Sequence, residues 1–342
     1  MIKTSVVILN WNGAKLLQQF LPTVLIHTQT EDCEVVVADN NSSDNSVEVM
    51  KQHFPEVKLI ELDKNYGFAE GYNRALQQVH SRYVVLLNSD VETSPNWLNP
   101  MLEHLERNPE TVAVQPKILS FADKSKFEYA GAAGGFMDRY GYPYCRGRIL
   151  HELEEDRGQY DKPLHVFWAS GACLCMRRAD YMEAGGLDND FFAHMEEIDL
   201  CWRLLARGKK IVCLPQSKVY HVGGASLDSE SPRKVHLNFR NNLLMIYKNA
   251  PLRKLIEVLL VRMVLDTAAA AHFMVQRKWS HAEAVAKAYS DFIEMRPSFK
   301  YKRKENIKKT VQSNIAQQYK GSVLFDFYFK KKKTFGGLSD EN

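Results

Sequence analysis

The stretch YVVLLNSD (83–90) begins as an apolar, β-branched run and ends in Asn88, Ser89 and Asp90. A short apolar run of this composition is typical of a buried strand. A strand that only leads into a turn needs no carboxylate at its end, so the function of Asp90 has to be explained. An ionised aspartate accepts hydrogen bonds and binds cations, which suits it either to the donors of a ligand or to a metal ion.

Three similar runs precede this stretch, and helical patterns separate them. The predicted strands are SVVIL (5–9), EVVVAD (34–39) and VKLIEL (57–62), and the predicted helices are AKLLQQFLPTVLIH (14–27), SVEVMKQHF (46–54) and YNRALQQVH (72–80). Strands that alternate with helices predict an α/β fold in which helices cover both faces of a parallel sheet.

Polar residues follow each predicted strand: NWNG (10–13), DNNSSDNS (39–46), DKNYGFAEGYN (63–73) and NSD (88–90). Ligands of open parallel sheets bind outside the carboxyl ends of the strands, so these segments predict a binding site. Asn40, Ser42 and Ser43 have a second interpretation as caps of the next helix. The chain has neither a GxxxxGK[ST] loop nor a GxGxxG after its first strand, which argues against a P-loop nucleotidase and a dinucleotide-dependent dehydrogenase.

Composition places the chain among ordinary soluble proteins. It has 342 residues, of which 45% are hydrophobic and 25% charged, enough for one large domain with an appended segment. Six cysteines without CxxC pairs predict reduced thiols of a cytosolic protein. The first residues run directly into a strand pattern without a signal sequence, so we expect a cytoplasmic location.

The net charge of +4 is concentrated near the C-terminal end, in KYKRKENIKK (300–309) and FKKKKTF (329–335). Such a basic segment predicts contact with an anionic surface, and a membrane leaflet is favoured over nucleic acid because no nucleic-acid-binding motif accompanies it. The alternative is a solvated lysine-rich tail without a partner.

The ordered set of motifs resembles the family-two inverting glycosyltransferases of the GT-A fold, and most of all their rhamnosyltransferase-like branch. The motifs are VVILNWNG (6–13), VVVADNNSSDNS (35–46), NYGFAEGYN (65–73), LLNSD (86–90), WASGACLCMRR (168–178) and FFAHMEEIDLCWR (191–203). The resemblance covers roughly residues 3 to 250. It implies a mixed, mostly parallel central sheet flanked by helices in a catalytic domain of residues 1–250, with a helical, basic segment over residues 251–342.

The resemblance also implies a divalent metal, Mg²⁺ or Mn²⁺, on the diphosphate of a nucleotide-sugar donor. Asp90 is the expected metal ligand, while Asn88 stands where a strict DxD motif has its first aspartate. His221, in VYHVGGAS (219–226), is a candidate further ligand. Its alternative is a structural histidine. Arg240, in RNNLLMIYKN (240–249), is expected to stabilise the leaving diphosphate, unless it is a surface arginine at the start of a helix.

In the family, Asp39 recognises the nucleoside base, with the backbone of Leu9 and Asn10 beside it. The other residues that the resemblance assigns to the nucleotide pocket are Asn65, Gly67 and Asn73. Gly67 and Gly71 additionally suggest a close approach of backbone to ligand.

The pair Glu196 and Glu197 matches the family's Glu-Asp pair, whose second member is the catalytic base, so Glu197 is the expected base. The alternative is that both acids only favour a helix N-terminus. Asp199 and Arg203 have the i, i+4 spacing of a helical ion pair, and Trp202 is expected in the core.

In the family, Trp168, Ser170, Gly171 and Ala172 form a wall facing the sugar or the acceptor, although the same stretch also suits a plain central strand. Residues 127–148, rich in Gly and Tyr, are expected to form an irregular insertion over the site. The apolar stretch 251–279 predicts a long helix that charges interrupt too often for a transmembrane span. It either lies in a membrane interface or packs against the catalytic domain or a second subunit.

Together these features predict an inverting glycosyltransferase that moves a sugar, with rhamnose favoured, from a dTDP- or UDP-sugar to a hydroxyl of a growing, lipid-linked surface glycan. Two alternatives stay open at this stage. A nucleotidyltransferase would share the nucleotide and metal sites, but the chain lacks its GxGTRxxPxT-type signature. A non-catalytic nucleotide-binding scaffold is the other.

Overall fold

The computed structural model describes residues 2–28, 32–223 and 231–339. The strands are β1 (Thr4–Asn10), β2 (Cys33–Asp39), β3 (Lys58–Glu61), β4 (Tyr83–Asn88), β5 (Val91–Thr93), β6 (Thr111–Ser120), β7 (Gly135–Asp138), β8 (Pro143–Cys145), β9 (Arg148–Ile149), β10 (Glu152–Leu153), β11 (Leu164–His165), β12 (Cys173–Arg177), β13 (Lys210–His221) and β14 (Gln318–Tyr319). The helices are α1 (Ala14–His27), α2 (Ser46–His53), α3 (Gly67–Gln77), α4 (Asn99–Arg107), α5 (Arg178–Ala184), α6 (Glu196–Ala206), α7 (Pro232–Asn249), α8 (Leu252–Val275), α9 (Trp279–Lys309), α10 (Val323–Tyr328) and α11 (Phe335–Ser339).

A mixed sheet of nine strands forms the centre of the molecule. Its order is β11-β13-β6-β12-β4-β1-β2-β3, and β5 pairs with β13. The four strands predicted from the N-terminal sequence, β1 to β4, are parallel to one another, whereas β12 runs antiparallel between β4 and β6. The predicted α/β fold with a mixed central sheet flanked by helices is confirmed.

Both faces of this sheet are buried, which explains why its strands are apolar without interruption. Successive side chains of a strand point to opposite faces. Val6 and Ile8 of β1 therefore pack with α1 and α4 on one face, while Val7 joins the larger core beneath α3 on the other. The five cysteines outside β2 are buried, and all six are free.

The helix predicted over residues 72–80 begins earlier in the structure, at Gly67, and ends at Gln77. The reason is a tertiary contact. Gly67 has a φ of +73°, and a Cβ atom there would lie 2.5 Å from the ring of Phe192. Similarly, a Cβ atom on Gly71 would lie 2.9 Å from the side chain of Leu9. Packing within the protein requires both glycines, and the expected approach of backbone to a ligand stays a prediction.

The expectation of an irregular insertion over residues 127–148 needs a correction in part. Most of the stretch is irregular, but it also contains β7, β8 and the first residue of β9, which belong to a second sheet with the order β10-β9-β8-β7-β14. Strand β14 comes from the C-terminal segment and pairs with β7 in parallel. A strand pairing between parts of the chain so far apart in sequence leaves no local periodic signal.

The C-terminal helices pack on the rest of the chain. Helix α9 lies against α7 and buries Phe292 and Phe299 among other residues. Helix α8 buries Arg262 and Asp266, whose ion pair spans 3.1 Å, and Tyr142 donates a hydrogen bond of 2.8 Å to Asp266. One face of α8 therefore packs against the catalytic domain, which is one of the two alternatives considered from the sequence. The division into residues 1–250 and 251–342 stays a prediction.

A buried ion network joins α7, α6 and α9. The Nζ atom of Lys248 lies 2.5 Å from Asp188 and 2.7 Å from Asp199, and Lys302 of α9 also binds Asp188. Asp199 additionally forms the predicted pair with Arg203, at 2.9 Å. These contacts hold the segment that leads into α6.

Replacing Lys248 with Met should lower the free energy of unfolding by about 3 kcal/mol, because Asp188 and Asp199 would lose a shared cation in a buried site. Urea denaturation of the purified variant measures the loss. Lys210→Met is the matched control, since its pair with Glu110 is exposed and should contribute less than about 1 kcal/mol. Equal stability losses in both variants would contradict the assignment.

Candidate active site

One corner of the site lies at the carboxyl ends of β1 and β2. Asn10 and Asp39 are register partners, and Asn10 Nδ2 donates to Asp39 Oδ1 at 3.0 Å. Ser42 donates to both carboxylate oxygens of Asp39, from its backbone N at 2.9 Å and from its hydroxyl at 2.6 Å. Among the described residues, nothing donates a hydrogen bond to the buried Oδ1 of Asn10. The structure thus brings Asn10 and Asp39 together, with one acceptor left for a ligand.

Asn65 and Gly67 reach the same corner through Asn40. The side chain of Asn40 donates to Asn65 Oδ1 at 3.1 Å and to the carbonyl of Gly67 at 3.0 Å, and it accepts from the backbone N of Tyr66. Asn40 therefore ties the end of β2 to the loop before α3. It is a bridge within the protein and not the helix cap considered from the sequence.

Asn73 lies apart from this corner. Its amide donates to Leu187 O and Asn189 Oδ1, and its oxygen accepts from Tyr181 and from the backbone N of Leu187. These four bonds use the whole hydrogen-bonding capacity of the side chain. The structure gives Asn73 the role of holding the loop at 186–189, so the predicted nucleotide contact is not carried further.

The second corner contains Asp90 and His221, which are buried next to each other. His221 Nε2 lies 3.1 Å from Asp90 Oδ1 and 3.4 Å from the side-chain nitrogen of Asn88. On the other side of the ring, Nδ1 lies 3.4 Å from Glu128 Oε1. Burial disfavours the imidazolium, but the close carboxylates of Asp90 and Glu128 outweigh it and raise the pKa of His221 to about 10.

Glu128 was missed in the sequence analysis because it lies in a stretch interpreted as an irregular loop. Its buried carboxylate faces the nitrogen of His221 that is turned away from Asp90. A carboxylate in this position orients an imidazole whose other nitrogen binds a metal. No short-range sequence signal marks this residue, which is 93 positions from His221 in the printed numbering.

The Asp90 and His221 pair fits a divalent cation. Their facing atoms are 3.1 Å apart, and two adjacent ligands of an octahedral ion at 2.0 to 2.1 Å are separated by about 3 Å. Over residues 2–28, 32–223 and 231–339, no group of three or more His, Cys, Asp or Glu side chains is arranged to hold a metal. A cation here would therefore displace the proton from His221 Nε2, and it would need further ligands from a diphosphate or from water.

The third corner is the N-terminus of α6, where Glu196 and Glu197 have different environments. Glu196 is buried, and burial together with the charge of Glu197 raises its pKa well above the usual range. Glu197 is partly exposed, and burial raises its pKa to about 7. The Oε2 atoms of both lack hydrogen-bond partners among the described residues. Glu197 is the less buried residue of the two, although its Oε2 atom is buried, and its pKa lies near neutrality.

The loop before α6 is held in an unusual conformation by α7. Phe192, His194 and Met195 all have positive φ angles. The side-chain nitrogen of Asn241 donates to the carbonyls of residues 191, 193 and 194 at 2.8 to 2.9 Å. Asn241 was missed in the sequence analysis, although it adjoins Arg240 in a stretch that the family resemblance had marked.

Arg240 lies in the middle of α7, not at the start of a helix. Its guanidinium donates to Asn241 Oδ1 at 2.8 Å and to the carbonyls of Asp190 and Phe191 at 3.3 Å. In this structure Arg240 supports the loop before α6. Its predicted contact with a diphosphate stays a prediction.

The predicted wall divides into two parts. Gly171 lies next to Glu197, the proposed catalytic base. A Cβ atom added to Gly171 would lie 3.9 Å from Glu197 Cβ and 3.1 Å from the ring of Phe68. Trp168 and Ser170 are buried and point into the protein, where Trp168 Nε1 donates to Phe136 O and Ser170 Oγ to Ala130 O. Ala172 receives a backbone hydrogen bond from Asn88 at 3.0 Å.

The three corners follow one edge of the sheet. Asn10 pairs with Asp39, Leu9 with Asn88, and Ala172 accepts from Asn88, so the ends of β2, β1 and β4 and the start of β12 lie side by side. Three strand spacings separate β2 from β12, which amounts to about 14 Å. The candidate residues for nucleotide, metal and base are thus arranged along one edge of the sheet.

Comparison with known proteins identifies the family. A model described as glycosyl transferase family 2 matches residues 5–185, more than half of the chain. The chain belongs to glycosyl transferase family 2. It is a glycosyltransferase, as the ordered motifs predicted, and the alternatives of a nucleotidyltransferase and a scaffold protein are not retained.

This family-2 glycosyltransferase is similar to N-acetylglucosaminyl-diphospho-decaprenol L-rhamnosyltransferase of Mycobacterium tuberculosis. The two are 28% identical over 233 residues, which are 63% of this chain and 75% of the relative. Among solved structures, S. aureus TarS 1–349 resembles it with a TM-score of 0.55 at 15% identity, over 90% of this chain and 89% of TarS. The predicted GT-A fold is confirmed.

A second solved structure is the mannosyltransferase PcManGT from Pyrobaculum calidifontis in complex with GDP-Man and Mn²⁺. Its TM-score to this glycosyltransferase is 0.53 at 14% identity, and the likeness covers 85% of this chain and 87% of that structure. At this identity the likeness concerns the fold alone.

Proposed function

We propose that this glycosyltransferase transfers a sugar, with inversion, from a nucleoside diphosphate sugar to a hydroxyl of a lipid-linked glycan. The observation that carries the proposal is the single sheet edge along which Asn10 and Asp39, Asp90 and His221, and Glu197 follow one another. Its length of about 14 Å from β2 to β12 suits an extended nucleotide sugar.

In this proposal each corner of the site has one task. Asp39 and the free oxygen of Asn10 accept hydrogen bonds from the nucleoside base, and Asn65 lies beside them. Asp90 and His221 hold a divalent cation, Mg²⁺ or Mn²⁺, while Glu128 orients the imidazole. A bound divalent cation supplies charge neutralisation for a departing diphosphate.

Glu197 takes the proton of the acceptor hydroxyl as that oxygen attacks the anomeric carbon. A new bond forms between this oxygen and the anomeric carbon, and the bond from the anomeric carbon to the diphosphate oxygen breaks on the opposite side. Attack opposite the leaving group inverts the configuration. Burial and the charge of Glu197 raise the pKa of Glu196 well above its usual range, so Glu197 is the first of the pair to ionise as the pH rises through about 7.

The proposals for the sugar and the acceptor rest on the rhamnosyltransferase relative. Its name describes rhamnosyl transfer to a decaprenol-linked diphosphate sugar, which supports rhamnose as the favoured sugar and a polyprenol-linked acceptor. The dTDP- or UDP-sugar donor is proposed from the role of Asp39 in binding a pyrimidine base. We place this reaction in surface-polysaccharide assembly at the cytoplasmic face of a membrane, and an oligomeric state is compatible with it.

Binding of the donor should raise the melting temperature in a metal-dependent way. With Mn²⁺ and one pyrimidine nucleoside diphosphate sugar at about a hundredfold excess over Kd, the stabilisation should reach about 2.7 kcal/mol. Thermal melting against a panel of nucleotide sugars, with Mn²⁺ and with chelator, measures it. Transfer of sugar to a polyprenol-linked acceptor is then assayed with the donor that stabilises most. The absence of stabilisation by every nucleotide sugar would contradict the proposed donor site.

The rate should depend on the ionisation of Glu197. Burial raises the pKa of this carboxyl to about 7, so below that pH it is protonated and cannot accept a proton. We expect log kcat/KM to rise with pH at a slope of one and to level off above about pH 7 to 8. A flat profile from acidic to alkaline pH would argue against a base with this pKa.

A further inference from the structure

A cavity of about 610 Å³ lies away from the three corners of the site, between the ends of α6 and α7, the start of α8 and the C-terminal half of α9. Trp202, Tyr247, Leu252 and Ile307 contribute apolar surface to its walls. None of these residues has a task in glycosyl transfer as proposed above. The cavity has the size of a small-molecule site.

The charged lining of this cavity is entirely basic. Lys300, Arg303 and Lys304 line it, and no aspartate or glutamate does so among the described residues. Arg303 donates to the carbonyl of Tyr247. Lys300 and Lys304 have neither an ion pair nor a hydrogen bond with any part of the chain that the structure describes. Like charges at i and i+4 of a helix repel each other, so an anion between them would remove an unfavourable interaction.

The cavity continues into the exposed face of α8. Leu252 belongs to both, and Ile256, Leu260 and Val264 extend the same face, with 71%, 66%, 55% and 66% of their surfaces exposed in that order. From Leu252 to Val264 this apolar face is about 18 Å long. Trp279, just beyond α8, is exposed as well. An apolar face of this size marks an interaction surface.

Helix α8 is long and apolar enough to cross a membrane, contrary to the sequence expectation. In the folded protein, however, its Arg262 and Asp266 form a buried ion pair beneath Tyr142. Spanning a bilayer would require these charges to leave their partners and enter lipid. The buried ion pair therefore favours a helix that stays packed on the protein by its inner face and offers its outer, apolar face to a membrane surface.

We propose that the outer face of α8 and the basic cavity together dock on a membrane leaflet, with the phosphate of an anionic phospholipid between Lys300 and Lys304. Charge complementarity selects this occupant, because an apolar face bordered by unpaired lysines matches acyl chains beneath anionic head groups. A second copy of the chain would place the same lysines opposite each other. Docking at a membrane agrees with the lipid-linked acceptor of the proposed function, and this agreement is the only point at which it rests on that function. Membrane binding itself can be measured without any sugar transfer.

Sedimentation of the full chain with vesicles tests the proposal. We expect the protein to pellet with vesicles of phosphatidylglycerol and phosphatidylcholine and to stay in solution with phosphatidylcholine alone. Replacing Lys300 and Lys304 together with Gln should weaken the partition by about tenfold or more, from the contribution of each cation near an anionic surface. Replacing Ile256 and Leu260 with Gln should weaken it comparably.

Lys308→Gln with Lys309→Gln is the matched control, because it removes the same charge from two exposed lysines of α9 that do not line the cavity. A change of less than about threefold in this control supports a built site. Equal losses from both lysine pairs would overturn it in favour of a diffuse basic surface.

Three further outcomes would also overturn the proposal. One is stabilisation of the protein by soluble glycerol phosphate without any vesicle binding, which would indicate a site for free phosphate. Another is a dimer in solution that dissociates in the Ile256 and Leu260 variant, which would make this face an interface between copies. The third is equal binding to phosphatidylcholine alone. Metal-dependent stabilisation by the nucleotide sugar should persist in all of these variants, so a failure of docking is distinguishable from a failure of the proposed function.

Discussion

Glu197→Gln should lower kcat by about a hundredfold to ten-thousandfold, which is the usual contribution of a positioned general base. The amide keeps the size of the side chain but cannot take the acceptor proton. Binding of the nucleotide sugar should change little, because Glu197 lies beside Gly171 at the β12 end of the sheet edge, away from Asp39 at the β2 end. Single-turnover transfer and a separate measurement of donor Kd check both parts.

Glu196→Gln is the matched control. Burial and the charge of Glu197 raise the pKa of Glu196 well above its usual range, which favours the uncharged form that an amide resembles. We expect kcat to fall by no more than about fivefold in this variant. If Glu196→Gln lost activity and Glu197→Gln kept it, Glu196 and not Glu197 would be the catalytic base.

Asp90→Asn should abolish the metal-dependent part of donor binding. Its carboxylate is the negatively charged ligand of the proposed metal pair, whereas His221 can bind the cation only after its raised-pKa imidazolium loses a proton. A metal contributes several kcal/mol to the stabilisation of leaving-group charge, so kcat/KM should fall by about a hundredfold or more. Thermal melting with Mn²⁺ and the donor provides a readout that is independent of activity.

Glu92→Gln controls for the loss of a nearby negative charge. Glu92 is on β5, two residues after Asp90, and forms an ion pair with Lys124 outside the site. Its replacement should leave the Mn²⁺-dependent stabilisation unchanged. If Asp90→Asn kept that stabilisation in full, Asp90 would not be the metal ligand.

The pH profile and the Lys248→Met variant test other parts of the structure. The first depends on an acid whose pKa is raised by burial, so activity is expected on the alkaline side of about pH 7. The second depends on the ion network that holds the loop before α6. A loss of stability in Lys248→Met with an unchanged pH profile would separate the scaffold from the chemistry.

Much of the fold was predictable because its signals are local. Strands β1 to β4 are apolar runs ended by polar residues, and β1 and β2 extend only one residue beyond some of the predicted ends. Helix α1 matches its prediction over Ala14–His27. The pairing of Asn10 with Asp39 follows from the rule that neighbouring parallel strands end at one edge of the sheet.

Other features depend on contacts between distant parts of the chain. Helix α3 starts at Gly67, where Phe192 packs against it, and the short strands within 127–148 belong to a sheet that β14 of the C-terminal segment completes at one edge. Asn73, assigned to the nucleotide pocket by motif position, forms hydrogen bonds with the loop at 186–189. Neither a periodic pattern nor a local motif contains information about such partners.

The sequence by itself determined the α/β architecture, the family and the edge of the sheet where the chemistry is proposed, because strand periodicity and strand-end chemistry are short-range properties. The tertiary structure decided which glutamate has a pKa near neutrality, placed Glu128 behind His221, and left one face of α8 exposed beside a basic cavity. Burial and charge pairing arise only when elements far apart in sequence pack together, and these two quantities set the pKa values and the surfaces on which the predictions depend.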